Sequence, residues 1–308
     1  MKMRFLLSID TEAEFWKYIP HPFYSQSLLY RIKWYLNRVR GKFIYAKDKQ
    51  GLVNIVNFLK ANKFPATFNI TGHLYLKSCK GWPHFKELKP LAKWSFKKDW
   101  YYWDPASNQD SSPGLYAGSY IEKTMKSNSL FDLGLHSFAH ECWPLEDKKI
   151  VNSGVKAAIL AAKSIGIKPL SFSAPFNITE DKKNSEVLYT SLKENGLKIV
   201  RYAGREEFPN KSLHKFKVVS PIRKKGLIFV HTSYTFDGTS KNERIQRIIQ
   251  DIKEKAETSD KNAVYCLCCH DFTFKKIDYL EQIIKTVLEL KKQGKIKLIN
   301  ARDLLKTH

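Results

Sequence analysis

Short apolar runs alternate with stretches of helical periodicity over most of this chain. A period of two residues predicts a strand, and a period near 3.6 residues predicts a helix. Strands are predicted at residues 3–9, 65–71, 131–136, 169–173, 197–202, 216–220, 227–232 and 263–269. Helices are predicted at residues 47–62, 145–165, 180–195, 240–257 and 276–292, and a short strand and helix complete the chain. Strands alternating with helices form a parallel sheet with right-handed crossovers, and this number of strands favours an α/β barrel over an open sheet. We therefore predict one domain over residues 1–308.

The first of two predicted insertions, at residues 15–46, contains the amphipathic stretch SLLYRIKWYLNRVRG. Its apolar residues share one helical face: Leu28, Leu29, Ile32, Leu36, Val39 and Phe43. Its basic residues lie elsewhere on the helix: Arg31, Lys33, Arg38 and Arg40. Trp34 and Tyr35 lie at the margin, and Gly41 is predicted to end the helix. The pattern suits a helix in a membrane interface, and it equally suits a core-packing helix with a solvated basic back, so both interpretations stay open.

The second predicted insertion, at residues 83–125, lacks a clear period and carries LAKWSFKKDWYYWDP. Aromatic residues interleaved with lysines are typical of stacking surfaces for sugar rings or nucleotide bases, and also of a loop folded over a barrel mouth. A long irregular insertion in a compact domain is more often functional than not. We therefore take Trp103 and Asp104 as candidate substrate contacts.

Composition narrows the class of protein. Of 308 residues, 43% are hydrophobic and 13% are aromatic, which is enough for a sizeable core and excludes a disordered chain. The formal net charge of +23 suits nucleic acid, an anionic membrane surface or a phosphorylated substrate. The odd number of cysteines, five, forms no disulfide framework and indicates a reducing compartment. The apolar stretch in MKMRFLLSIDTE is too short for a signal peptide, and no run is long enough to span a membrane, so we expect a cytoplasmic protein.

Candidate catalytic residues stand at the carboxyl ends of predicted strands, where parallel α/β folds gather their active sites. Asp10 and Glu12 follow the first strand, His136 and His140 follow the third, and His270 follows the last clear strand. Two histidines with one carboxylate make a metal site that leaves positions open for water and substrate. A second carboxylate can then serve as general base, and a separate histidine as general acid.

Each of these signals is weak alone, because an H-x-x-x-H spacing and an Asp-x-Glu after a strand are both common. Cys266, Cys268 and Cys269 beside His270 also suggest a thiolate zinc site. Neighbouring side chains of a strand point to opposite faces, so Cys268 and Cys269 are expected to diverge. We interpret these cysteines as structural.

In this order, five blocks resemble the polysaccharide deacetylase family, the carbohydrate esterases homologous to the nodulation-factor chitooligosaccharide deacetylase. The blocks are SIDTE (8–12), ATFNITGH (66–73), HSFAH (136–140), FSAPFN (172–177) and CLCCHDF (266–272), and they extend over most of the chain. HSFAH is the most specific, because it matches the H-[ST]-x-x-H of the family. The resemblance implies a distorted (β/α)7-type barrel.

The resemblance also implies roles for individual residues. Asp10 would be the general base, and His270 the general acid that protonates a leaving amine. The implied metal ligands are Glu12, His136 and His140. The metal is expected to be Zn²⁺, with Co²⁺, Mn²⁺ or Ni²⁺ as alternatives, and it would polarise the acyl carbonyl. A backbone N–H near Phe176, next to Pro175, would help to hold the oxyanion.

The chain departs from the family pattern at two places. The commonest first motif has two adjacent aspartates, whereas this chain has Asp10 and Glu12 separated by one residue, so the exchange of base and ligand between them stays an alternative. The arginine that usually stands two residues before the proline of the third motif is replaced by Ser173. Arg201, at the end of a predicted strand, is a candidate for orienting the base by its position alone.

The implied reaction is metal-dependent hydrolysis of the N-acetyl or N-formyl group of an amino sugar. A cytoplasmic enzyme does not fit secreted deacetylases of chitin or peptidoglycan, so we expect a glycan carried on a polyprenyl phosphate during cell-envelope glycan or lipopolysaccharide assembly. The enzyme would then lie peripherally at the inner face of the membrane, where basic residues favour anionic lipid. Alternatives are a soluble polysaccharide or small non-sugar amide as substrate, and a catalytically idle barrel that binds glycan or nucleic acid. Nucleic acid is disfavoured, because the sequence holds no recognised nucleic-acid-binding motif.

Overall fold

The computed structural model describes residues 2–13, 27–44, 49–79, 106–141, 148–178, 185–203, 217–237 and 240–306. Its strands are β1 (Met3–Thr11), β2 (Ala66–Ile70), β3 (Phe131–Leu135), β4 (Ser171–Ile178), β5 (Ile199–Ala203), β6 (Ile222–Lys224), β7 (Leu227–His231), β8 (Tyr234–Thr235), β9 (Val264–His270) and β10 (Ile296–Ile299). Its helices of ten residues or more are α1 (Leu28–Ile44), α2 (Gln50–Ala61), α3 (Lys148–Ser164), α4 (Ser185–Glu194), α5 (Asn242–Thr258) and α6 (Asp278–Lys292). The α/β alternation predicted from the hydrophobic pattern is confirmed.

The strands form one mostly parallel sheet in the order β6-β7-β5-β4-β3-β2-β1-β9-β8, and β10 pairs with the first half of β1. β7 pairs with β5, while β8, which follows β7 after Thr232 and Ser233, pairs with β9. The chain from β7 to β8 therefore joins the two sides of the sheet. At this junction the Thr232 N–H donates to the Tyr202 carbonyl and the Ser233 N–H donates to the Cys266 carbonyl, both at 2.8 Å. Because the ladder is interrupted there, the sheet is a distorted barrel without continuous closure, as the predicted fold class requires.

Two groups of buried apolar side chains lie on the two faces of the sheet. The smaller group comes from β1, β5, β7, β9, β10 and the turn after β10: Leu6, Ile199, Ile228, Val230, Val264, Cys266, Ile299, Ala301 and Leu304. The larger group packs the outer strand faces against the helices and includes Phe5 and Leu7 of β1 and Cys269 of β9. Side chains at alternate positions of β1 and β9 thus serve different faces, which confirms that Cys269 diverges from its neighbour Cys268.

The predicted strand at 216–220 is wrong within its described residues. Between 217 and 221 the backbone forms only an isolated bridge at Val219, and the strand β6 begins after Pro221. Proline has no N–H to give to a ladder, so a strand through this position is unfavourable. β6 instead forms an antiparallel hairpin with β7 across Lys225 and Gly226, whose φ angles of 55° and 79° are those of a two-residue primed turn.

Two predicted boundaries are also wrong. Helix α1 continues past Gly41 to Ile44, because a glycine inside a helix costs only about 1 kcal/mol. The strand predicted at 169–173 instead extends through the segment SAPFN as β4, which runs to Ile178. The register of β4 against β5 shifts between Ser173 and Ile178. Pro175 lies in this interval and lacks a ladder donor, which accounts for the irregularity of the strand.

The apolar face predicted for the first insertion is exposed where the structure describes side chains. Leu28, Leu29, Ile32 and Leu36 are each about half or more exposed. The core-packing interpretation of this face is therefore wrong. Among the described helices, none has both the length and the apolar character needed to cross a bilayer.

Candidate metal centre and active site

Two carboxylates stand at the carboxyl end of β1. Asp10 lies opposite His270, the last residue of β9, and opposite Asn69 of β2. Glu12 follows two residues later, and both side chains are at most 3% exposed. The backbone N–H groups of Glu12 and Ala13 donate to the Asp271 carboxylate at 2.9 and 3.1 Å, which ties the end of β1 to the turn after β9.

Two histidines reach the same place from the end of β3. His136 follows the strand directly, and a tight turn brings His140 back, so the two ring centres are 5.0 Å apart. Ser137 and His140 have φ angles of 58° and 57°, a left-handed conformation that is strained for residues with a Cβ and often marks a functional turn. The Glu141 carboxylate accepts the backbone N–H groups within this turn, at Phe138 and Ala139.

The Glu12 carboxylate lies among imidazoles. Its Oε1 atom is 3.3 Å from Nε2 of His136, 3.2 Å from Nε2 of His140 and 3.6 Å from Nε2 of His270. Burial raises the pKa of Glu12, but the neighbouring imidazoles, His140 first and His136 next, outweigh burial and lower the pKa well below its usual value. A carboxylate in this position stays ionised and available as a ligand.

The orientation of His136 suits metal binding. Its Nδ1–H donates to the Ser173 carbonyl at 2.9 Å, which fixes the tautomer and leaves the Nε2 lone pair directed at the cluster. That Nε2 atom is buried and has no hydrogen-bond partner of good geometry within the described residues. One donor atom from each of Glu12, His136 and His140 lies within 4.8 Å of the others. Two imidazoles and one carboxylate with a buried, orphaned donor fit a divalent ion with open positions.

Asp10 has different partners. Nη2 of Arg201 donates to both carboxylate oxygens, at 2.8 and 2.6 Å, and Nη1 of Arg201 donates to the Cys268 sulfur at 2.5 Å. The Ser173 hydroxyl accepts from Arg201 and donates to Asp10 at 3.2 Å. Burial raises the pKa of Asp10, but Arg201 first and His136 next lower it below the usual value. The position where the family pattern has an arginine thus holds a hydroxyl, and a guanidinium from β5 reaches the carboxylate beside it.

His270 is partly exposed at the edge of the cluster. Its Nδ1–H donates to the Asp237 carboxylate at 2.9 Å, so its Nε2 atom faces Glu12. Burial lowers the pKa of His270, but the Asp237 hydrogen bond and the Glu12 charge reverse this and raise it to about 10. An imidazole held protonated in this way can donate a proton at neutral pH.

The structure brings six of the ten candidate residues into this cluster: Asp10, Glu12, His136, His140, Arg201 and His270. Pro175 is buried in β4, the side chain of Phe176 lies outside the described residues, and so do Trp103 and Asp104.

Sequence reasoning missed Asp237, Asp271 and the hydroxyl contribution of Ser173. Asp271 directly follows His270, and Asp237 comes two residues after β8, so both stand at the ends of strands, as Asp10 and Glu12 do.

Fold and site together define a distorted (β/α)7-type barrel with a histidine and carboxylate cluster at the carboxyl ends of its strands. No protein-family model and no curated protein matches the chain. Solved structures do match. A protein from Mycobacterium smegmatis assigned as a polysaccharide deacetylase aligns with a TM-score of 0.60, covering 99% of this chain and 90% of that one at 11% identity.

Two α-glucan enzymes align nearly as well. The 4-alpha-glucanotransferase of Thermococcus litoralis gives a TM-score of 0.57 at 11% identity, covering 100% of this chain and 41% of that one. The alpha-amylase AmyC of Thermotoga maritima gives 0.56 at 12% identity, covering 100% of this chain and 75% of that one. The chain therefore has the polysaccharide deacetylase fold, which these two enzymes share, and the fold alone does not choose a chemistry.

Proposed function

We propose that this protein is a metal-dependent hydrolase that removes the N-acetyl or N-formyl group from an amino sugar. The observation that carries the proposal is the Glu12 carboxylate set between His136 and His140, at the strand end where Arg201 holds Asp10. A divalent ion held there, Zn²⁺ first among the candidates, supplies Lewis-acid polarisation of an amide carbonyl and activates water at neutral pH.

The chain's own groups divide the proton transfers. Asp10, kept ionised by Arg201, accepts a proton from water as general base. His270, kept protonated by Asp237, gives a proton to the amine nitrogen as the C–N bond breaks. The pKa values of the two groups are moved in opposite directions by their surroundings, which is how one site holds both an acid and a base at the same pH.

The same site argues against glycoside cleavage, the chemistry suggested by the two α-glucan enzymes of similar fold. A glycosidase needs one carboxylic acid whose pKa is raised, so that it stays protonated and donates to the leaving oxygen. Here the pKa values of Asp10 and Glu12 are both lowered. Burial raises the pKa of the neighbouring Asp271 to about 7, but this carboxyl is fully buried and accepts the N–H groups of Glu12 and Ala13, so the partly exposed proton donor is the His270 imidazole. A deacetylase accounts for that donor set and a glycosidase does not.

We further propose that the amino sugar is carried on a polyprenyl phosphate in cell-envelope glycan or lipopolysaccharide assembly, at the inner face of the membrane. The net charge of +23 and the aromatic and basic segment at 83–104 support an anionic, sugar-bearing substrate. A soluble polysaccharide or a small non-sugar amide would use the same metal centre.

The test combines metal analysis with a substrate panel. Purified protein is expected to contain a stoichiometric divalent metal and to release acetate or formate from N-acylated amino sugars, faster when these are polyprenyl-linked. Chelation is expected to abolish release, and added Zn²⁺ or Co²⁺ to restore it. Release that survives complete chelation would refute metal dependence. Metal binding with no hydrolysis of any panel member would favour the catalytically idle glycan-binding alternative.

A further inference from the structure

We propose that the outer face of α1, defined as Leu28, Leu29, Ile32, Tyr35 and Leu36, docks on an anionic lipid bilayer. The inference deepens the proposed function, because it identifies the surface through which the enzyme would reach a lipid-linked glycan. It rests on that function for its purpose, while its test measures binding alone.

The outer face of α1 is a contiguous apolar surface. The exposed fractions of its side chains run from 43% at Tyr35 to 79% at Leu29. At about 100° per residue, all five side chains fall within an arc of about 120°. In the described part of the chain, only Leu160 and Ile222 are comparable exposed hydrophobic side chains, and they lie apart on α3 and β6. Single exposed apolar residues are ordinary, whereas a contiguous patch marks an interaction surface.

Helix α6 shows how an amphipathic helix of this fold normally packs. Its buried side includes its main apolar residues: Leu280, Ile283, Ile284, Val287 and Leu290. In α1 the relation is reversed, because among its described side chains, residues 28–36, the buried one is Trp34 at 5% exposure, on the opposite side of the helix from the leucines. α1 therefore packs through the side away from its apolar arc, and the arc faces outward.

The positive charge of α1 indicates which kind of surface its apolar face binds. Its sequence has five basic residues and no acidic residue. Arg31 and Lys33 lie on opposite borders of the apolar arc, each roughly 40° beyond its edge. A helix whose apolar side is flanked by basic residues lies in the headgroup region, with phosphates along both borders and leucines toward the acyl chains. This complementarity is to an anionic bilayer and not to a neutral apolar surface.

The chain on both sides of α1 is attached at the active-site end of the barrel. The connection that contains α1 starts at the end of β1, beside Glu12, and finishes at the start of α2. The α2 end is fixed to the turn after β9, since the Asn54 amide donates to the carbonyls of Phe274 and Lys275 at 3.1 and 2.9 Å. Gly51 makes the closest approach, because a Cβ there would meet the Asp271 carbonyl oxygen at 2.2 Å. Both ends of the connection therefore lie beside the metal centre, and docking through α1 would bring that centre to the membrane surface.

Vesicle flotation tests the proposal with the full chain. Wild type is expected to float with vesicles of phosphatidylcholine and phosphatidylglycerol, and to float less in high salt and with phosphatidylcholine alone. The triple variant Leu29→Glu, Ile32→Glu, Leu36→Glu is expected to lose at least about tenfold in partitioning. The matched control Leu160→Glu, Ile222→Glu carries new acids at the two isolated exposed positions and is expected to float like wild type.

Several outcomes would overturn the proposal. Wild type that stays soluble with anionic vesicles excludes bilayer docking, and a wild-type dimer that the triple variant abolishes would assign the face to self-association instead. Equal flotation of wild type and triple variant would place membrane binding elsewhere. Circular dichroism and metal content check that the triple variant is folded. Hydrolysis of a soluble N-acetyl amino sugar, which does not involve α1, separates failure of this inference from failure of the proposed chemistry.

Discussion

Asp10 and Glu12 stand two residues apart at one strand end, and their surroundings differ in kind. Asp10 is neutralised inside the protein by Arg201, a permanent cation whose own pKa is raised by Asp10 despite the opposing effect of burial. Glu12 faces imidazoles, whose nitrogens carry a positive charge only when protonated and are otherwise free to bind a cation. Only Asp10 therefore has its charge balanced by a permanent cation of the protein.

Electrostatics explains why the two carboxylates need different partners. A buried charge is costly unless it is paired, so Asp10 without Arg201 would be strongly destabilising. The cluster around Glu12 reaches the same balance either by protonating its histidines or by binding a metal ion with neutral histidines. The contact with Arg201 therefore suits Asp10 to act as a base held in place. The histidines around Glu12 instead suit that carboxylate to bind and release an external cation.

The largest effect is expected from Glu12→Gln. The substitution keeps the shape of the side chain and removes its charge, so divalent metal affinity should fall by more than about 100-fold, the upper end of the cost of losing an outer-shell partner. Metal content after dialysis measures the loss, and hydrolysis should disappear with it. Glu257→Gln, an exposed acid on α5, is the control and should retain full metal. Undiminished metal in Glu12→Gln would remove Glu12 from the ligand set.

Asp10→Asn should separate chemistry from metal binding. Because the Asp10 carboxylate is paired with Arg201, its loss should leave the metal content near that of wild type, while hydrolysis falls by about 10²–10⁴-fold, as expected for a general base. The same preparation is assayed for metal and for acetate release. Loss of metal in Asp10→Asn together with retention in Glu12→Gln would reverse the assignment of the two carboxylates.

Arg201→Ala should act mainly on stability and on the acid side of the pH profile. Removing the guanidinium leaves Asp10 buried without its partner, so the free energy of unfolding should fall by about 3–5 kcal/mol. The pKa of Asp10 should rise, which moves the acid limb of the rate profile to higher pH. Chemical denaturation and the pH dependence of kcat/KM measure the two effects.

The control for Arg201→Ala is an exposed arginine paired with a buried aspartate. Arg302 lies 3.4 Å from Asp132 and its side chain is 48% exposed, so Arg302→Ala should cost no more than about 1 kcal/mol. Adding Asp10→Asn to Arg201→Ala should recover part of the stability, because no unpaired buried charge remains. Equal losses in Arg201→Ala and Arg302→Ala would show that the Asp10 pair has no special role.

Much of the fold could be predicted because alternation and helical periodicity are local signals. The wrong predictions fall where the local sequence pattern did not decide the structure. Gly41 did not end α1, Pro175 bent a strand without ending it, and β6 depended on a hairpin turn at Lys225 and Gly226 that hydrophobic runs do not reveal. The β7–β8 junction between the two sides of the sheet depends on contacts between distant strands, which no local pattern encodes.

The site was predictable to the extent that parallel strands bring their carboxyl ends together. That rule alone places Asp10, Glu12 and the three histidines in one region. The rule could not show which residue contacts which, because the contact of Arg201 with Asp10 joins residues 191 positions apart. Asp237 was missed for the same reason, since a short strand such as β8 gives almost no periodic signal.

The smallest effect is expected from Asp237→Asn, because the substitution changes the hydrogen-bond partner of His270 and leaves the pair of Asp10 and Arg201 in place. In the metal-free protein the pKa of His270 is about 10 against an ordinary 6.5, so His270 contributes stability that is fully present below about pH 6.5 and lost as pH rises through about 10. Asp237→Asn should lower that pKa, flatten the decline of Tm over this window and move the alkaline limb of the rate profile to lower pH. NMR titration of His270 measures the pKa directly, and Asp260→Asn, an exposed acid outside the cluster, should leave it unchanged. An unshifted His270 titration in Asp237→Asn would mean that Glu12 and Asp10 alone keep the imidazole protonated, and that the general acid is set by the same carboxylates as the metal centre.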